Sequence, residues 1–201
     1  MTNQTYTHRR KAGAKGAPLF IVFHGTGGDE NQFFGLAEQL LPEATIVSPR
    51  GDVSEYGAAR FFRRTGEGVY DMDDLARATD KMAGFIAGLV AEHEPSEVIG
   101  LGYSNGANIM ANLLIEKEKI FDKAVLLHPL VPFLPKDNPA LGGARILMTA
   151  GRMDPICPPD LTEALARYFE RQKAGVELVW HPGGHELRQT ELAAVQSFIG
   201  K

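Results

Sequence analysis

Gly102-Tyr103-Ser104-Asn105-Gly106 is a G-x-S-x-G pentapeptide set between an apolar run, EVIGLG at 97 to 102, and a helical pattern through Ile109, Met110, Leu113 and Leu114. Strand, motif and helix in that order place a serine on a tight turn, where glycines on both sides let strand and helix approach without a Cβ clash. A serine hydroxyl is a poor nucleophile until a base takes its proton, and that base needs an acid to fix its tautomer. Two later loops carry the partners in the order such a fold requires. Asp154 follows the run ARILMTA within Gly151-Arg152-Met153-Asp154-Pro155, and His185 follows VELVWH within Pro182-Gly183-Gly184-His185-Glu186. The chemistry expected of Ser104, His185 and Asp154 is acyl transfer.

Rival residues fit less well. His24, His128 and His181 stand at or inside strand ends, and His8 and His93 have polar surroundings without a matching loop. Asp160 reads as a first-turn helix residue, and Glu186 is the immediate neighbour of the base. His181 and His185 have the four-residue spacing of a zinc-binding helix pair, but Pro182-Gly183-Gly184 between them cannot hold a helix, so no metal is expected. Acyl transfer also needs two backbone N–H groups aimed at the developing oxyanion. The residue after the nucleophile, Asn105, supplies one, and Thr26 in the turn His24-Gly25-Thr26-Gly27-Gly28 supplies the other. A phosphate-binding reading of those glycines fails because Asp29 and Glu30 follow where a lysine and a hydroxyl residue belong.

These residues need a scaffold that delivers them to one edge. Short apolar runs at 19–23, 44–48, 97–102, 123–128, 144–150 and 176–181 alternate with helical patterns, which predicts parallel strands joined by crossover helices. Helices are expected between Asp71 and Pro95, after Pro158 and Pro159 to near Gly175, and at the end of the chain through Leu192, Val195, Phe198 and Ile199. The fold class is therefore α/β, a mostly parallel doubly wound sheet with helices on both faces. A chain of 201 residues fits one domain, 1–201, and the loop at 130–143 is too short to be a cap domain.

Composition excludes several functions. A net charge of −4 offers nucleic acid no electrostatic attraction, and no apolar run is long enough to cross a bilayer. The opening MTNQTYTHRRKAGAKGAP lacks the apolar stretch of a signal peptide, and Cys157, the single cysteine, cannot form an internal disulfide. The expected location is the cytoplasm. Phe61 and Phe62, and Leu130, Val131 and Phe133, are apolar residues on loops that leave carboxyl ends of strands. They are expected to line an open acyl or aryl site, with Arg60, Arg63 or Arg64 near its mouth; the alternative for the apolar residues is a loop pinned to the core, and the arginines read first as solvated charges.

Taken together, FHGTGGDENQF, GYSNG, GRMDPICP and PGGHEL resemble the phospholipase/carboxylesterase branch of the α/β-hydrolases, over about Leu19 to Lys201. That branch includes acyl-protein thioesterases and small bacterial carboxylesterases. The resemblance implies a capless α/β-hydrolase fold, a cytoplasmic enzyme without a cofactor, a tendency to form homodimers, and a small-molecule ester substrate. It also implies Ser104, Asp154 and His185 as the catalytic residues with backbone donors at Thr26 and Asn105. Thioesterases of the branch commonly carry glutamine after the serine and leucine after the histidine-glycine pair, where this chain has Asn105 and Thr26. Dienelactone hydrolases are close cousins with a cysteine nucleophile, whereas Cys157 here lies beyond the acid and not at the elbow. The readings left are a carboxylesterase, an acyl thioesterase or lysophospholipase, and a hydrolase fold kept as a small-molecule receptor.

Overall fold

The structure is a computed structural model and describes residues 5–200. Seven strands form the main sheet: β1 (His8–Lys11), β2 (Leu19–Phe23), β3 (Thr45–Pro49), β8 (Val98–Tyr103), β9 (Lys123–Leu127), β10 (Arg145–Gly151) and β11 (Gly175–His181). Their spatial order is β1-β3-β2-β8-β9-β10-β11, and every pairing is parallel except β1 with β3. Two small hairpins, β4 (Val53–Glu55) with β5 (Ala58–Arg60) and β6 (Arg64–Gly66) with β7 (Val69–Tyr70), stand outside it. The helices are α1 (Phe34–Leu40), α2 (Met72–His93), α3 (Asn105–Glu116), α4 (Pro159–Arg171) and α5 (Gln189–Ile199). All six apolar runs of the sequence are strands of this sheet, with boundaries displaced by about one residue. Among the described residues, no helix is long and apolar enough to cross a membrane.

Both faces of the inner sheet are covered, which explains why β2, β3, β8, β9 and β10 are almost continuously buried. Leu19, Ile21 and Phe23 of β2 join the core under α2, α3 and α4, while Phe20 and Val22 join a second core with Phe34 of α1 and Val195 and Phe198 of α5. In α2, Leu75, Ala78, Met82, Phe85, Ile86 and Leu89 form the buried stripe. Asp71 caps its first turn by accepting from the Asp74 N–H, and Glu94 ends it in a left-handed conformation. After β2 the chain moves outward to β3, but β8 lies on the opposite side of β2. The loops leaving β2 and β8 therefore diverge and open a crevice at the carboxyl ends of the strands.

Candidate active site

The β8–α3 turn occupies that crevice. Ser104 has φ 51° and ψ −118°, a left-handed backbone that a non-glycine residue adopts only under constraint. The constraint comes from packing: Ser104 N–H donates to Leu127 O at 2.9 Å, and Asn108 N–H donates to Ser104 O at 2.9 Å. A Cβ at Gly102 would lie 2.6 Å from the Gly106 carbonyl carbon, and one at Gly106 would lie 2.5 Å from both Phe23 O and His24 O. Only glycine fits at either place.

Asp154 leaves β10 and His185 leaves β11. Their loops touch so closely that a Cβ on Gly151 would stand 2.0 Å from Gly184 O, and Met153 N–H donates to Gly183 O at 2.9 Å. His185 Nε2 lies 2.9 Å from Ser104 Oγ, and His185 Nδ1 lies 2.7 Å from Asp154 Oδ2. Since an ionised carboxylate only accepts, Nδ1 carries the proton and Nε2 is the acceptor facing the serine hydroxyl. Tyr103 anchors the His185 loop, its hydroxyl donating to His185 O at 2.7 Å. The Asp154 carboxylate is fully buried and accepts four hydrogen bonds, from His185 and His128 on Oδ2 and from the Ile156 and Cys157 N–H groups on Oδ1. Burial alone would raise its pKa, but those four donors hold it below the ordinary aspartate value.

A cavity of about 290 Å³ opens beside Ser104 and is bordered by Thr26, Asn105, Leu130, Ile156 and His185, and also by Arg60, Arg64 and Tyr70. The two residues named as backbone donors thus border the same space as the hydroxyl. Asn105 also anchors the neighbouring loop, its Oδ1 accepting from Phe61 N–H at 2.8 Å. His24 is a strut: one ring nitrogen contacts Gly25 O at 2.7 Å and Nε2 accepts from Gly51 N–H at 2.8 Å, while burial lowers its pKa and keeps the ring neutral.

Four of the five expected pocket residues lie elsewhere. Phe61 and Phe62 are completely buried; Phe61 packs on Phe23 and His24, and Phe62 on Tyr70. Their segment folds inward between two hairpins, β4–β5 before it and β6–β7 after it, and large rings on an inward-facing segment join the core. Val131 and Phe133 border a different groove, of about 400 Å³, against Leu161, Leu165 and Tyr168 of α4. Leu130 alone of the five faces the Ser104 cavity. The arginines differ among themselves. Arg60 is buried, donates to Thr26 Oγ1 at 2.7 Å and pairs with Glu55 at 3.5 Å. Arg64 shares Glu55 with it, and Arg63 is exposed and pairs with Asp71 and Asp74.

Cys157 is buried next to His185, its thiol donating to His128 O at 3.3 Å, with Sγ 3.9 Å from His185 Nδ1. Burial, with Asp154 nearby, pushes its pKa well up, so it stays a thiol. Cys157→Ser keeps a donor for the His128 carbonyl and is expected to retain most of the parent esterase activity; a folded variant without activity would instead implicate the thiol in bond making. Sequence reasoning missed His128 and Glu191 as neighbours of this site. His128 directly follows the apolar run of β9 and Glu191 lies in the first turn of α5, and only the packed fold brings His128 against Asp154 and Glu191 against His128.

Residues 64–191 match the model of the dienelactone hydrolase family. Over 175 residues, 86% of this chain and 88% of its counterpart, the sequence is 38% identical to the "Putative hydrolase MhqD" of Bacillus subtilis (strain 168). Protein Atu2452 of unknown function from Agrobacterium tumefaciens str. C58 is 60% identical and superposes with a TM-score of 0.96, covering 100% of this chain and 98% of that one. The carboxylesterase of Bacillus cereus is 35% identical, with a TM-score of 0.90 and coverage of 99% and 95%.

Proposed function

The chain belongs to the dienelactone hydrolase family and is a carboxylesterase-type hydrolase, and on that premise we propose that it cleaves small carboxylic esters through a Ser104–His185–Asp154 triad. The observation that carries this reading is the unbroken chain from Ser104 Oγ to His185 at 2.9 Å and from His185 to Asp154 at 2.7 Å, opening onto one cavity. Ser104 Oγ attacks the ester carbonyl carbon as His185 Nε2 takes its proton, and the carbonyl oxygen becomes an oxyanion facing the Thr26 and Asn105 N–H groups. Collapse expels the alcohol, which receives the proton from His185 and leaves an acyl-Ser104 enzyme. Water, deprotonated by the same ring, attacks that acyl group; collapse breaks the bond to Ser104 Oγ, which takes the proton back from His185 as the carboxylic acid leaves. Asp154 keeps its charge throughout and holds His185 in the working tautomer.

A cavity of about 290 Å³ without a cap fits short acyl groups. Each methylene that finds apolar contact against Leu130 or Ile156 adds up to about 0.8 kcal/mol, so kcat/KM rises a few-fold per carbon until the space is full and then falls. Among p-nitrophenyl esters from acetate to palmitate, the optimum is expected among the short chains. Ile156→Trp, which fills the cavity, should lower butyrate relative to acetate by about tenfold. Phe133→Ala should leave the preference where it was. Phe62→Ala should act on stability, costing about 3–5 kcal/mol as a core cavity. An optimum at palmitate would replace this reading by that of a long-chain thioesterase.

A further inference from the structure

His128 directly follows β9 with a left-handed backbone, φ 52°, and its side chain is completely buried. Its Nδ1 lies 2.8 Å from Asp154 Oδ2 and its Nε2 lies 3.0 Å from Glu191 Oε1. Glu191, in the first turn of α5, is also fully buried; it accepts from Thr149 Oγ1 at 2.6 Å and from Arg188 N–H at 2.7 Å. Every titratable group around the ring can be named. Asp154 and Cys157 face it from the loop after β10, Glu191 from α5, His181 from the end of β11, His185 from the loop beyond, and Tyr103 from β8. Both ring nitrogens of His128 meet carboxylate oxygens, which only accept, at distances shorter than the 3.4 Å that separates its Nε2 from His181 Nε2, so both donate.

We propose that His128 is a permanent imidazolium, held between Asp154 and Glu191, and that this pair of positioning residues sets the basicity of His185 by sharing the Asp154 oxygen that His185 uses. The proposal rests on the triad reading above. His128 fixes Oδ2 from one side while His185 binds it from the other, so the carboxylate cannot rotate away from the base. The rings of His128 and His185 lie 5.0 Å apart. A fixed positive charge at that range offsets part of the field of the Asp154 carboxylate beside His185. Burial opposes the charge on His128, but its bonds to Glu191 and Asp154 outweigh that and raise its pKa, while Glu191 is lowered by the bonds it accepts despite its own burial. His128, His181 and Glu191 also have the spacing of metal ligands. His181 Nδ1 accepts from Gly183 N–H at 3.0 Å, so its proton sits on Nε2, pointed at Glu191, and that nitrogen has no lone pair for a cation.

The test has two arms on the full chain. In protein labelled with nitrogen-15 at its six histidines, both nitrogens of His128, assigned with His128→Gln, should read as protonated at pH 8. In the second arm, Glu191→Gln removes the counter-ion and lets His128 become neutral, and His128→Gln removes the ring. Active protein is counted by fluorophosphonate labelling of Ser104, and p-nitrophenyl butyrate kinetics are followed against pH. The acid limb of kcat/KM should move up by about one pH unit in each folded variant, less than the bare Coulomb figure at this distance because Glu191 or its surroundings compensate in part. KM should change little. A neutral His128 in the parent, stoichiometric bound zinc in the parent, or an unmoved acid limb in a folded variant overturns the proposal. If one variant fails to fold, the other and the parent spectrum decide. A parent that neither labels nor turns over ester defeats the triad reading instead, and the nitrogen spectrum still tests the charge on His128.

Discussion

Ser104→Ala is expected to fold as the parent does and to lose ester hydrolysis by about 10⁴- to 10⁶-fold. Alanine keeps the Cβ that Ser104 already carries at φ 51°, so the strain of the turn is unchanged, and the backbone bonds to Leu127 and Asn108 do not involve the hydroxyl. What disappears is the one atom 2.9 Å from His185 Nε2 that can form an acyl bond. His185→Ala should cost a similar factor, and the double variant should be no worse than either single one, because the members of a triad act as a unit. Turnover of p-nitrophenyl butyrate and labelling by a fluorophosphonate probe measure the loss, and circular dichroism checks the fold. Folded Ser104→Ala protein hydrolysing ester at near the parent rate would remove Ser104 from the mechanism.

Asp154→Asn is expected to damage both activity and stability. For activity, an amide at this place favours the wrong histidine tautomer, with a loss on the order of 10⁴-fold in kcat. For stability, the environment leaves no orientation in which an amide fits. Oδ1 accepts from two backbone N–H groups and Oδ2 from two imidazoles, so an NH₂ group placed on either side confronts two donors. Each buried donor left unpaired costs about 1–3 kcal/mol. The variant also removes one counter-ion of His128, and breaking a buried charge pair from one side costs about 3–5 kcal/mol. With about 2–4 °C of Tm per kcal/mol at this chain length, a drop of about 10 °C or more should appear in a thermal melt. Ser104→Ala measured alongside should melt close to the parent. An Asp154→Asn protein with parental Tm would mean that the four-donor arrangement around the carboxylate does not form.

Much of the architecture was legible because it depends on local patterns. Six strands announced themselves as apolar runs, five of them buried, and α2 by its helical pattern between Asp71 and Pro95. Ser104, Asp154 and His185 each follow such a run directly, so a parallel sheet had to bring all three to one edge, and their side chains do meet there. The edge strand His-Arg-Arg-Lys was not legible, because its residues are polar and exposed and it earns its place only by pairing with β3. The same holds for the hairpins between Val53 and Tyr70, whose strands of two or three residues carry too little periodicity to read.

The sequence by itself thus determined the fold class and the order of the chemistry-bearing loops, since both follow from the period of apolar residues and from glycines that only a tight elbow requires. Tertiary structure alone decided which loop residues face the cavity. Phe61 and Phe62 have the composition of a pocket wall and lie in the core, whereas Arg60, which reads as a solvated charge, is buried with Glu55 beside Thr26. It also decided the surroundings of Asp154. His128 and Glu191 are 63 positions apart, and no pattern along the chain pairs them. They meet because β9 and β10 are neighbours and α5 packs back against the sheet, and that contact depends on the whole fold.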